Sequence, residues 1–109
     1  MPKFLTIGYG DQDGYDQIAD DLKARAHAHD AWLIERGAVI GIAGPPVQVR
    51  NSEDKGIETQ SAAYLRSDLP VAGFALIEAA DTDEAVQLVA KTPCAIAFGV
   101  VEVWPLSES

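Results

Sequence analysis

The order of strand and helix patterns is the feature that most restricts how this chain folds. A strand, a helix and a strand come first, an irregular or hairpin segment over 45–70 follows, and the same β-α-β order returns before the chain ends. Two β-α-β units of this size predict a ferredoxin-like sandwich with both helices on one face of a largely antiparallel sheet. We therefore expect an α+β fold of βαββαβ order, forming a single domain over 1–109.

The two helices are indicated by apolar periodicity and by their end signals. The first is expected over 16–36, because acidic residues crowd its start and a glycine follows its end. The second is expected over 82–91, with Asp81 and Glu84 spaced as a capping box and Pro93 stopping the helix.

Six apolar or alternating stretches predict strands. They are 3–9, 38–43, 47–50, 57–64, 71–79 and 97–104. A ferredoxin-like sheet leaves one face without helices, and strand residues pointing to that face include either Phe74, Leu76, Phe98 and Val100 or the alternate set. An uncovered apolar face predicts a homodimer.

Charge and cysteine content narrow the partners and the compartment. The chain has a net charge of -9, from 17 acidic and 8 basic residues, so phosphate backbones and anionic membrane surfaces should be repelled. We expect neither nucleic acid nor membrane as a partner. Cys94 is the single cysteine, and the first apolar run is too short for a signal peptide or a membrane span, so a cytoplasmic location is expected.

Several segments, taken together in their order and spacing, resemble the YCII-related, or DGPF-domain, family over nearly the whole chain. They are FLTIGYGD at 4–11, His29-Asp30-Ala31-Trp32, Ile42-Ala43-Gly44-Pro45, Val49-Arg50, AGFALIE at 72–78, DTDEA at 81–85 and VEVWPL at 101–106. The resemblance implies a subunit that dimerises face to face into a dimeric α+β barrel. It also implies relatives among lactone isomerases and dehydrochlorinases, with a histidine and an aspartate as the catalytic pair.

The chain departs from that family's pattern in one four-residue segment and at one single position. Where members carry Asp-Gly-Pro-Phe, this chain has Ser61-Ala62-Ala63-Tyr64, and Trp104 stands where an arginine is common. The missing aspartate favours an alternative function, a non-catalytic dimeric module that binds a small ligand or a partner protein.

His29 is the leading catalytic candidate. It falls on the apolar arc of the first helix, so it should face the interior or a pocket, where a neutral imidazole can act as a general base. The alternative is a hydrogen-bonded core histidine. Asp68 would orient His29 if 65–70 fold over the pocket, or would simply form a turn. His27 lies on the opposite side of the helix, so the H-x-H spacing predicts no metal site.

Other side chains are candidates for binding a substrate. Arg50 or Arg66 would hold a substrate carboxylate through a bidentate fork, unless each forms a surface ion pair. Three aromatic residues would line a pocket for a flat apolar ligand: Tyr9, Trp32 and Tyr64.

These candidates define the expected function. We expect a small-molecule enzyme that needs no cofactor, with a pocket between the first helix, the sheet and the segment 45–70. The reaction would be an isomerisation, elimination or dehydrochlorination of a cyclic acid or lactone, with His29 as general base or acid.

Overall fold

The structure, a computed structural model, describes residues 1–107, so the last two residues of the predicted domain lie outside it. The strands within that range are β1 (Lys3–Tyr9), β2 (Val39–Ile42), β3 (Gln48–Arg50), β4 (Glu58–Gln60), β5 (Val71–Glu78) and β6 (Val100–Leu106). The helices are α1 (Gln12–Asp16), α2 (Asp20–Glu35), α3 (Thr82–Val89) and α4 (Pro93–Ile96).

The long strands form one antiparallel sheet in the order β2-β5-β1-β6. The two central strands, β1 and β5, are each followed by a helical crossover to an edge strand, as in the ferredoxin-like arrangement. The predicted α+β, ferredoxin-like class is therefore confirmed. The short strands β3 and β4 pair only with each other, and they form a separate hairpin in the part of the sequence that connects β2 to β5.

The core lies between the sheet and α3. Phe4 of β1 pairs with Ile77 of β5, and each side chain is 3% exposed. Both pack against Ala85 and Val89 of α3. Because side chains alternate along a strand, the even-numbered residues of β1 face the helices and the odd-numbered residues face the other side.

That other side, which we call the open face, carries large apolar side chains. It is built from Leu5, Ile7 and Tyr9 of β1 and from the residues that pair beside them, including Phe74, Leu76, Val100 and Trp104. Phe74 is 43% exposed, Val100 54% and Trp104 52%. One of the two predicted registers placed Phe74, Leu76 and Val100 on this face, and they lie there. Phe98, which belonged to the same predicted set, precedes β6.

The start of the first helix differs from the prediction. The acidic residues at 16–21 were expected to open one helix, but the chain forms a separate turn of helix, α1, and α2 begins only at Asp20. Asp11 caps α1, because its carboxylate accepts a hydrogen bond of 2.9 Å from the backbone N–H of Gly14. The turn-rich residues before position 16 therefore contain a capped helix of their own.

The second half shows one confirmed cap and one wrong boundary. Asp81 accepts from the backbone N–H of Glu84 at 2.8 Å, and Glu84 Oε1 accepts from the N–H of Ala80 at 3.0 Å, so the predicted cap is present. Pro93 does not simply stop α3, because it opens the short helix α4, where the first position tolerates proline. The last strand consequently begins at Val100 instead of at 97.

Residues 44–68, which we call the arm, project from the sheet as the β3–β4 hairpin and its connections. All residues from 51 to 60 are exposed. The radius of gyration is 15.8 Å, compared with about 13 Å for a compact chain of this length. Val49 and Ile57 of the arm are 66% and 74% exposed. These side chains of the arm therefore do not pack into the core.

Candidate functional site

An open cavity of about 280 Å³ lies between α2 and the helix-bearing face of the sheet, beside the start of α4. We call it the α2 cavity. Its walls are mainly apolar side chains and glycines, including Leu33, Ile40, Ala75 and Val101. The polar residues on its lining are Thr6, His27, Asp30, Thr92 and Cys94. An apolar recess with a few polar groups is the usual form of a small-molecule site.

Asp30 brings a carboxyl group to this apolar wall. It follows His27 by three residues on α2, so the two side chains are neighbours on the helix surface. Burial raises the pKa of Asp30 above its ordinary value, and the nearby imidazoles of His27 and His29 oppose the rise. A carboxyl group with a raised pKa is better suited to both donating and accepting a proton near neutral pH.

Cys94 lines the α2 cavity near Asp30. A Cβ atom added to Gly8 would be 3.0 Å from the Cys94 sulfur, so the lack of a side chain at Gly8 provides room for the thiol. Burial raises the pKa of the Cys94 thiol, and the charge of Asp30 raises it further. The thiol therefore stays protonated at neutral pH and contributes a small, weakly polar surface instead of a nucleophile.

His27 is held beside the cavity by α1. Its Nε2 lies 2.8 Å from the Tyr15 hydroxyl, and the two rings meet edge to face with centroids 5.8 Å apart. The ammonium group of Lys23 lies 4.9 Å from the centre of the Tyr15 ring. These contacts hold the imidazole in place. Because His27 is exposed to solvent, it lies near the mouth of the α2 cavity.

His29 faces a different part of the molecule. Its Nε2 donates a hydrogen bond of 2.6 Å to the backbone carbonyl oxygen of Leu88, which joins α2 to α3. His29 does not belong to the cavity lining. The expected pairing with Asp68 is not formed within residues 1–107, because Asp68 is exposed at the end of the arm. The imidazole thus meets a carbonyl instead of a carboxylate.

Replacing His29 with alanine is expected to lower the free energy of unfolding by about 1 kcal/mol, because the Leu88 carbonyl loses its donor. Urea denaturation followed by circular dichroism measures this loss. His27→Ala is the matched control, and it should cost less than about 0.5 kcal/mol because His27 is exposed and water replaces it as the partner of the Tyr15 hydroxyl. Equal losses in the two variants would contradict a packing role for His29.

The aromatic candidates do not gather around the cavity. The Tyr9 hydroxyl lies on the open face and donates a hydrogen bond of 2.6 Å to Glu102, which raises the pKa of Tyr9. Trp32 is 42% exposed, with the Arg36 guanidinium 4.7 Å from the centre of its ring and the His29 ring 5.3 Å away. Tyr9 and Trp32 therefore lie outside the α2 cavity lining.

The predicted arginines do come together, but on the arm. Arg50, Arg66 and Tyr64 line a second recess with two glutamines, Gln48 and Gln60. Arg50 donates to Gln48 Oε1 at 3.3 Å, and its guanidinium lies 5.9 Å from the centre of the Tyr64 ring. Because the arm projects from the sheet, this recess shares no lining residue with the α2 cavity. The predicted pocket between α2, the sheet and 45–70 is therefore divided in two.

Asp30 and His27 were missed as site residues, although the sequence carries a signal for Asp30. Asp30 follows Ala26 by four residues and precedes Leu33 by three, so it lies on the same helix stripe as these two buried residues. A carboxylate on a buried stripe is unusual and marks a candidate functional group. His27 has no such signal, because none of the residues three or four positions away from it on α2 is buried.

Three further findings bear on the site. Among residues 1–107, no group of three or more His, Cys, Asp or Glu side chains is placed to hold a metal ion. Within the same range, every helix is too short or too polar to cross a membrane. Comparison with protein-family models gives no match, and comparison with curated proteins gives none either.

Proposed function

We propose that this protein binds a small, mostly apolar molecule in the α2 cavity and exchanges a proton with it through Asp30. One observation carries the proposal: a carboxyl group with a raised pKa lies on the wall of an apolar cavity that is open to solvent. Perturbed carboxyl groups in apolar recesses are the usual form of acid–base sites, because burial there tunes the proton affinity.

The chemistry that such a site supports is proton transfer without a cofactor, as in an isomerisation or an elimination. Asp30 would take a proton from one position of the bound molecule and return it to another. His27, held by Tyr15 near the cavity mouth, would be a second acid–base group. In this proposal His29 is a positioning residue, because its bond to Leu88 holds α2 against α3.

We also propose that two copies associate through the open face to form a homodimer. The supporting observation is the exposure of Phe74, Val100 and Trp104 on one side of the sheet, where an apolar surface of this kind is costly in water. Glu102, which lies beside them, already accepts a hydrogen bond from Tyr9. A second copy would remove this apolar surface from water.

Binding in the α2 cavity is tested by NMR with named ring compounds. Coumarin, phenol and benzyl alcohol are added separately at millimolar concentration, and backbone amide shifts are followed. We expect shifts at Gly8, Gly73 and Cys94, which line the cavity.

A cavity-filling variant and its matched control sharpen this test. Ala75→Leu adds about three carbon atoms within the lining and should abolish the shifts, whereas Ala28→Leu makes the same change at an exposed position of α2 and should leave them intact. A thermal melt of each variant verifies that it is folded. Shifts that persist in folded Ala75→Leu, or that appear only in the arm, would refute the proposed site.

A second candidate is a non-catalytic dimeric binding module, favoured by the contact of His29 with a carbonyl instead of a catalytic carboxylate. Both candidates use the same cavity, and they differ in whether the bound molecule is changed. Deuterium incorporation from heavy water into a ligand that binds the cavity, lost in Asp30→Asn, would support the enzyme. Binding without exchange would support the module.

A further inference from the structure

We propose that the α2 cavity selects a small apolar amine in its ammonium form, with Asp30 as the counter-ion. The inference rests on the proposed function and adds the charge of the ligand to it. It follows from how charged side chains are distributed between the cavity and the arm.

Apart from the His27 imidazole, residues 1–107 offer no basic side chain in the cavity to an anionic ligand. In the part of the chain that the structure describes, neither lysine nor arginine lines it, and Asp30 is its one carboxylate. The arginines expected to bind a substrate carboxylate, Arg50 and Arg66, line the separate recess on the arm. A carboxylate ligand would therefore lose water next to a like charge, which is unfavourable for both groups. The cyclic acids expected from the sequence as substrates do not suit this cavity.

An ammonium ligand would give Asp30 a cationic partner. The lysine and arginine ion pairs found in residues 1–107 are Lys23 with Asp20, Arg25 with Asp21 and Lys55 with Glu53. None of them reaches Asp30, which is half-buried against apolar groups. A bound ammonium would form a charge-assisted hydrogen bond with this carboxylate, while its apolar part contacts the cavity wall. The net charge of -9 would also draw cations toward the protein.

The expected pH dependence follows from the groups near Asp30. The imidazoles of His27 and His29 lie near it on α2, and the Cys94 thiol lies near it on α4. Amine binding should strengthen as pH rises through the pKa of Asp30, because the carboxylate forms. The two imidazoles compete with the ligand only when they are protonated. Cys94 stays neutral because its thiol pKa is raised.

The test compares three probes that share a benzene ring and differ in charge: benzylamine, benzyl alcohol and benzoate. Each is titrated into the full chain at pH 7 and low salt, and the amides of Gly8, Gly73 and Cys94 report binding. We expect benzylamine to bind about tenfold more tightly than benzyl alcohol, as one charge-assisted hydrogen bond suggests, and benzoate to cause no shift there.

Two variants separate a local effect of Asp30 from the overall charge. Asp30→Asn should reduce benzylamine to the affinity of benzyl alcohol. Asp83→Asn removes the same charge from an exposed position of α3 and should preserve the preference.

The outcomes distinguish this inference from the proposed function. Benzoate binding in the cavity as tightly as benzylamine would overturn the inference and leave the proposed function standing. An amine preference that survives in Asp30→Asn would also overturn it, by assigning the preference to net charge. If all three probes, like coumarin and phenol, leave the cavity amides unchanged, the proposed function fails and the inference fails with it.

Discussion

Replacing Phe4 with alanine is expected to lower the free energy of unfolding by about 3–5 kcal/mol, the largest loss we expect from any single truncation here. Phe4 is 3% exposed and packs with Ile77, Ala85 and Val89 between the sheet and α3. Truncation removes its apolar burial and leaves a cavity that the surrounding side chains fill only in part. Since domains of this size have about 5–15 kcal/mol of stability, the variant should be close to unfolding.

Phe98→Ala is the matched control for this prediction. Phe98 is 66% exposed, so the same truncation should cost less than about 0.5 kcal/mol. Urea denaturation of the three proteins gives the comparison. Because a one-residue shift of β1 would move Phe4 to the open face, equal losses in the two variants would contradict the register of the sheet as well as the core.

The second large effect is expected on assembly. Phe74→Asp should convert the proposed homodimer into a monomer at micromolar concentration. Phe74 lies near the middle of the open face, beside Ile7 on β1 and Gly41 on β2. An unpaired carboxylate at an apolar interface either keeps its water or loses several kcal/mol of hydration, and both outcomes oppose association. Sedimentation equilibrium gives the mass of the particle directly.

Val86→Asp is the control for assembly. Val86 is 44% exposed on α3, which covers the opposite side of the sheet, so this variant gains the same charge without touching the open face. It should remain a dimer. The interface would be wrong if the unmodified chain is monomeric, or if Phe74→Asp associates as tightly as Val86→Asp.

Local signals allowed much of the fold to be predicted from the sequence. The cap at Asp81 and the apolar run over 71–79 depend on near neighbours in the chain, and both are found as expected. The start of β6 was predicted too early because Ala97 and Phe98 look strand-like in isolation. In the structure Phe98 has a φ of 61°, which places it in a turn between α4 and β6.

The candidate site was harder to predict because it depends on how α2 is rotated against its neighbours. His29 and Asp30 flank the same apolar stripe from opposite sides, and helical periodicity alone does not decide which flank meets a cavity. The carbonyl of Leu88 engages His29, and Asp30 is left on the cavity side. The separation of Arg50 from this site likewise depends on the direction of the arm.

The raised pKa of Asp30 also has a consequence for stability. The folded state holds this proton more tightly than the unfolded state, so the contribution is fully present below the unfolded pKa and is lost as pH rises through the folded pKa. Asp30→Asn has no carboxyl group to ionise, so this loss of stability with rising pH does not occur in the variant. We therefore expect its melting temperature, relative to the unmodified protein, to be higher at pH 7 than at pH 3. An equal difference in melting temperature at the two pH values would contradict a raised pKa of Asp30.

The central claim is that the Asp30 carboxyl group lies against the apolar wall of the α2 cavity, and its own titration tests this most directly. In the unliganded protein labelled with ¹³C, the carboxyl shift of Asp30 is followed between pH 2 and 8. We predict a midpoint above the ordinary aspartate value of 3.8. A midpoint at or below the ordinary value would contradict the account.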